Sequence, residues 1–138
     1  MTDATPPHPL IAELDLAPHP EGGWYRETLR QPAPDGGRGL ATAILFLLET
    51  GQRSHWHRVD AAELWLWHAG APLTLLIDDG AAREHVLAGV TPQALVPAGA
   101  WQSAEARAGW ALVSCVVTPA FDFAGFELAP PGWSPGRG

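Results

Sequence analysis

His55 and His57 stand one residue apart in the segment Gly51–Gly70, GQRSHWHRVDAAELWLWHAG. On an extended strand, residues two apart point to the same face, so the spacing predicts two imidazoles side by side. Glu63 follows after five residues, far enough for a turn and the start of the next strand. Two imidazoles and one carboxylate can fill one side of a divalent transition metal's shell and leave other positions open. The same trio can also move protons, because an imidazole titrates near neutrality without much help. Strand parity extends the pattern. If Glu63 points inward, Trp65 and Trp67 do too and would wall an apolar cavity with a polar floor, while Leu64, Leu66 and His68 face the other way. A structural or interface role is expected for His68.

Two further segments carry chemistry. In PAGAWQSAEA, residues 97–106, Pro97 and Gly99 lead into a strand and Gln102 follows three residues after the glycine. In HPEGGWYRETLR, residues 19–30, Gly22 and Gly23 signal a sharp turn or a close backbone approach. Beyond them Trp24, Arg26 and Thr28 share one face and Tyr25 and Glu27 the other. The planar fork of Arg26 suits a carboxylate or phosphate, or else a salt bridge to Glu27 or Glu49. His19 and Glu21, in the turn itself, are read as structural. Arg58 faces away from His57 by parity and is expected to pin Asp60 or a loop. Cys115 is the sole cysteine and lies in the apolar run WALVSCVV. It is read as a small buried hydrophobe, with nothing nearby to activate it as a nucleophile.

The elements that would position these residues are mostly strands. Leu10, Ile11, Leu14 and Leu16 fall at near-helical spacing and predict one short helix within 8–16. Fourteen prolines and fifteen glycines punctuate the chain and leave little room for longer helices. Strands are expected at about 22–30, 40–49, 53–58, 62–68, 73–78, 83–88, 93–97, 101–105 and 110–118, with a last one near 123–128. Many short strands at close spacing argue for an all-β sandwich or barrel. Residues 1–8 read as a loose arm, 9–130 as a single domain, and 131–138 as a tail that packs through Trp133 or hangs free. Strand 40–49 is apolar on both faces and 110–118 nearly so. A chain this small with two such strands is expected to cover them with a second copy, as a homodimer.

Composition narrows the function classes. The formal charge is −7, with eight arginines and no lysine, and no basic run. That argues against nucleic acid and against an anionic membrane surface as partners. The longest apolar run, Leu40 to Leu48, is half the length of a membrane helix. The N-terminus lacks the pattern of a signal peptide. With one cysteine no internal disulfide can form, which suits a reducing cytoplasm.

The spacing G-x3-H-x-H-x5-E-x6-G, followed by P-x-G-x-x-Q, resembles the two sequence motifs of the cupin superfamily. More narrowly, HPEGGWYRET at 19–28, SHWHRVDAAELWLWHAG at 54–70, VPAGAWQSAE at 96–105 and FDFAGFEL at 121–128 look like the small cupin family DUF985, or cupin-5. The resemblance spans roughly residues 9–130. It implies a jelly-roll β-barrel, usually dimeric, with a pocket between its sheets. In cupins the last ligand of the second motif is usually a histidine, and Gln102 stands there. The resemblance therefore implies His55, His57, Glu63 and Gln102 as a candidate set for iron, manganese, nickel or zinc. An amide oxygen is a poorer ligand for such metals than imidazole. The first segment is also similar to a stretch that lines the substrate site in deoxysugar-nucleotide epimerases, themselves cupins.

The resulting expectation is a small-molecule enzyme of isomerase or epimerase type, acting on a sugar-like or carbonyl-containing substrate. His55 or His57 would be the general base, tuned by Glu63. Trp65 and Trp67 would stack on the substrate, Arg26 would bind an anionic group on it, and Trp24 and Gln102 would also contact it. A metal-dependent oxygenase or lyase and a non-catalytic ligand-binding cupin are the alternatives.

Overall fold

The structure, a computed structural model, describes residues 6–136. The ends of the expected arm and tail, residues 1–5 and 137–138, lie outside the described residues. The chain opens with one short helix, α1 (Pro9–Glu13). Its start is set by chemistry the sequence displays. Pro9 presets the helical φ, and the His8 ring accepts the otherwise orphaned N–H of Leu10 at 3.2 Å. Eleven strands follow: β1 (Ala17–Pro18), β2 (Trp24–Gln31), β3 (Ala41–Leu48), β4 (Arg53–Val59), β5 (Ala62–Gly70), β6 (Leu73–Asp78), β7 (Ala82–Leu87), β8 (Gln93–Val96), β9 (Trp101–Glu105), β10 (Ala111–Thr118) and β11 (Phe126–Leu128).

The strands form two antiparallel sheets, a six-stranded one in the order β1-β2-β3-β10-β5-β8 and a five-stranded one in the order β11-β4-β9-β6-β7. From β3 onward successive strands alternate between the sheets, as in a jelly roll, apart from the β6–β7 hairpin, and hydrogen bonding keeps two sheets instead of one closed barrel. Alternation along the strands delivers the core. Phe46, Leu48, Trp65, Leu73, Leu75 and Val113 pack together in one buried cluster between the sheets. A second, smaller cluster of Val59, Ala61 and Val117 lies with Phe121 and Phe126 at one end. β3 and β10, the two strands apolar on both faces, pair side by side in the middle of the larger sheet. Their outward residues Leu45, Leu112 and Val116 are half-buried.

Two irregularities decide what faces the interior. Between Ser54 and His57 the ladder of β4 with β9 slips, and between Glu27 and Leu29 that of β2 with β3 does the same. Each slip is a β-bulge, an extra residue that inverts the alternation beyond it. Near the end of the chain, the expected strand at 123–128 is a single 3-10 turn (Phe123–Gly125) leading into the three residues of β11. The tail packs through Trp133, whose ring lies 4.5 Å from that of Trp101 and 6.5 Å from that of Trp56.

Candidate functional site

A cavity of about 190 Å³ opens at one end of the sandwich. Its floor is polar, with His57 from β4, Glu63 from β5, and His19 and Glu21 from the turn before β2. Its mouth is aromatic, with Tyr25, Phe121, Phe123 and Phe126, and carries Glu27 and Arg30 on its rim. Glu63, His57 and Glu21 are all buried.

The bulge in β4 builds the floor. It turns Ser54 and His57 to the same side, although they are three residues apart, and sends His55 to the other face. There His55 Nε2 meets the Pro130 carbonyl oxygen at 2.9 Å and holds the tail. The expectation that both imidazoles share the pocket is thus corrected, because the strand is not regular between them. His57 Nδ1 lies 2.8 Å from Glu21 Oε2 and 2.7 Å from the His55 carbonyl oxygen. Both neighbours are acceptors, so Nδ1 carries a proton and Nε2 is left for the cavity. Glu21 in turn accepts from the Ser54 hydroxyl at 2.6 Å. The turn that delivers Glu21 runs so close to β4 that a side chain at Gly22 would collide with the Arg53 carbonyl oxygen. Gly22 also has a φ of +105°.

Gln102 takes a different place from the one expected. Its Oε1 accepts the indole N–H of Trp65 at 2.8 Å and its Nε2 donates to Glu63 Oε1 at 2.9 Å. Both ends of the amide are committed. The Trp65 donor fixes which way the amide points and leaves Gln102 to orient Glu63 from behind.

Burial and charge separate the protonation behaviour of these groups. Burial, the largest effect on His57, favours the neutral ring. The charge and hydrogen bond of Glu21, the charge of Glu63 and the His55 carbonyl outweigh it and push His57 up to about 9. Burial pushes Glu63 up to about 7, opposed by His57 and by donation from Gln102 and Cys115. Glu21 is lowered. Burial alone would raise it, but the His57 charge and the donors His57 and Ser54 prevail. His19 is lowered mainly by burial, against the charge of Glu21, and its Nδ1 accepts the Glu21 N–H at 3.2 Å. Cys115 also lines the cavity. Burial and then the charges of Glu63 and Glu21 hold its thiol well above its ordinary value, in keeping with an unactivated cysteine.

The remaining sequence candidates sit elsewhere. Trp65 belongs to the buried core, and Trp67 packs against it with its N–H on the Ala71 carbonyl oxygen at 3.0 Å. Parity placed both correctly inward, but the space beside them is filled by core. Trp24 donates to Glu49 at 2.9 Å. Arg26 lies on the outer face and donates through Nε to the Leu14 carbonyl oxygen at 2.8 Å. The two-face split of β2 holds, but the face bearing Tyr25 and Glu27 is the one that meets the cavity. Arg58 pairs with Glu127 and lies over the Trp101 ring, while Asp60 is held by Arg38. His68 faces outward and meets the Ser114 hydroxyl at 2.5 Å. The sequence reading takes His19 and Glu21 as structural, whereas both line the cavity. The signal available was the pair of glycines after Glu21, read as a sharp turn or a close backbone approach; the structure shows that the segment approached is β4 at Arg53.

This donor set does not fit a bound metal. Of the four candidate ligands, His55 points out and both ends of Gln102 are hydrogen-bonded, which leaves His57 and Glu63. Among the described residues no group of three or more His, Cys, Asp or Glu side chains is placed to hold an ion. Also among them, no helix is long and apolar enough to cross a membrane.

The comparisons agree with this architecture. A solved protein from Shewanella oneidensis is 41% identical, with a TM-score of 0.79 over 87% of this chain and 82% of its own. A hypothetical protein from Leishmania major is 33% identical, with a TM-score of 0.76 over 86% and 84%. Oxalate decarboxylase from Bacillus subtilis is 18% identical, with a TM-score of 0.63 over 80% of this chain and 29% of its own, a likeness of fold alone. No curated protein matches the chain. The profile of the cupin superfamily family DUF985 matches residues 8–129. With the two-sheet fold and the motifs in place, the chain belongs to that family of cupins.

Proposed function

We propose that the chain is an acid–base enzyme of isomerase or epimerase type, acting on a small carbonyl-containing or sugar-like compound in the cavity. The observation that carries this reading is the pairing of Glu63, pushed up to about 7, with His57, pushed up to about 9, on one buried floor. Two neighbouring groups whose environments drive their titrations apart have the form of an acid and base pair. Glu63 is suited to take a proton from the carbon beside a carbonyl and return it, because its affinity for protons matches neutral conditions. His57, kept as the imidazolium by Glu21, would donate from Nε2 to the carbonyl oxygen as negative charge grows there. Gln102 and Trp65 hold the Glu63 carboxylate at a fixed angle. The aromatic mouth gives a substrate an apolar surface and limits water.

The base is therefore assigned to Glu63, where the sequence pointed to a histidine. The oxygenase or lyase alternative requires a three-ligand face, which these side chains do not form. The test is hydrogen exchange. A panel of small aldoses, ketoses and hydroxy-ketones is incubated with the protein in D2O, and deuterium at the carbon beside the carbonyl is followed by NMR. Exchange by the wild-type chain that falls by about 10²-fold or more in Glu63→Gln supports the proposal. Equal exchange in both chains, or none in either, overturns it, and with none the non-catalytic ligand-binding reading takes its place. We also propose that the active form is a homodimer, with the outward apolar face of β3, β10 and β5 turned to a second copy.

A further inference from the structure

Arg30 is the guanidinium on the rim of the cavity, and it also lines a groove beyond the rim together with Arg38, Phe121 and Phe123. A cation so placed looks ready for a phosphate or carboxylate. Its partners say otherwise. Glu27, also on the rim, accepts from Arg30 Nη2 at 2.7 Å and from Nε at 3.2 Å, in the two-pronged geometry that an incoming anion would need. Nη2 also donates to the Phe121 carbonyl oxygen at 3.2 Å, and the Asp122 carboxylate adds negative charge nearby. Arg38 is no substitute. Its Nη1 and Nη2 fork is closed on Asp60 at 3.0 and 2.8 Å, and its Nε donates to the Ala120 carbonyl oxygen at 2.8 Å. Arg26 lies on the opposite face of β2. An anion seeking the two-pronged Nε–Nη2 edge of Arg30 must therefore displace a carboxylate that is already paired, within a chain of net charge −7.

We infer that Glu27 is a specificity-determining residue that closes the rim arginine to anions, so that the cavity takes an uncharged carbonyl or hydroxyl compound and not its phosphate ester or acid. The inference rests on the acid–base reading above and deepens it by naming the charge class of the substrate. Arg30 Nη1 has no partner among the described residues. Its two N–H groups are the donors that a neutral oxygen at the mouth would meet, held steady by the grip of Glu27 on the rest of the fork. The bulge between Glu27 and Leu29 makes the pairing local, since it places both side chains on the cavity side of β2 although they are three residues apart.

The probe is inorganic phosphate, titrated against the wild-type chain, Glu27→Gln, and the double variant Glu27→Gln with Arg30→Gln, following the arginine Nε–H resonances by NMR. Glu27 is partly exposed on the rim, and a melting curve for each chain checks that it is folded. The expected result is phosphate binding at Arg30 at least about tenfold tighter in Glu27→Gln than in the wild type, with the gain abolished in the double variant. Binding of similar strength in the wild type and Glu27→Gln, whether tight or absent in both, overturns the inference. So does a gain that survives the loss of Arg30. The titration reads no turnover, so its failure leaves the role of Glu63 standing, and a failed exchange assay leaves the phosphate result intact.

Discussion

Three side chains, Glu21, His57 and Glu63, share one buried floor and cannot all behave as they do in water. One carboxylate is spent in keeping the imidazole charged, and the other is left short of compensation. The pH dependence of stability follows from these directions. His57 is raised from 6.5 to about 9 on folding, so its contribution is complete below 6.5 and is lost as pH rises through 9. Glu63 is raised from 4.5 to about 7, so folding favours its protonated form, and that contribution is lost as pH rises from 4.5 through 7. Glu21, which is lowered, acts in the opposite sense, and its contribution is lost as pH falls below 4.5. The melting temperature is therefore expected to decline from mildly acidic pH to about pH 9. Thermal melts across that range should show Glu63→Gln flattening the limb between 4.5 and 7 while the fall toward 9 remains. A wild-type melting temperature that rises steadily over this range would contradict the assigned protonation states.

Among the elements, β4 teaches most. Strand positions were legible to within a residue or two for nearly all of the chain, because alternating burial and Gly and Pro turns are local properties. Asp78-Asp79-Gly80 closes a hairpin, with the Gly80 N–H on Asp78 Oδ1 at 2.9 Å, as its residues suggest. The glutamate at 63 and the histidine at 57 were also legible, since both follow from spacing. What could not be read was the bulge at 54–57, because no glycine or proline marks it. It exists to satisfy contacts with the turn at 19–23, where His55 N–H donates to the Glu21 carbonyl oxygen at 2.7 Å. Such contacts are set by tertiary packing, as is the choice of which face of β2 meets the cavity. The two histidines should consequently respond differently to truncation. His55→Ala is expected to lower stability by about 1 kcal/mol through loss of the Pro130 contact. It should leave hydrogen exchange at the cavity within about twofold, whereas His57→Ala should reduce exchange by about 10²-fold or more. Chemical denaturation and the D2O assay, run on both variants, separate the cases.

At the scale of the whole molecule, the larger sheet presents an outer face of Leu45, Leu64, Leu66, Leu112 and Val116, all half-buried, with Leu95 59% exposed beside them. A self-association surface of this kind is sensitive to a single buried charge. Light scattering coupled to size exclusion is expected to give a dimer for the wild-type chain and a monomer for Leu66→Arg. A monomeric wild type would remove the homodimer from the proposal. The cavity has a different relation to the whole. Its floor draws on the turn before β2, on β4, on β5 and, behind Glu63, on β9, which come from both sheets and from distant parts of the chain. In a partly assembled chain that had sunk His57 into the interior without the turn at 19–23, burial would prevail and the ring would favour its neutral form. Docking of that turn is thus what charges the imidazole, so the pocket gains its proton donor only once a segment distant in sequence is in place.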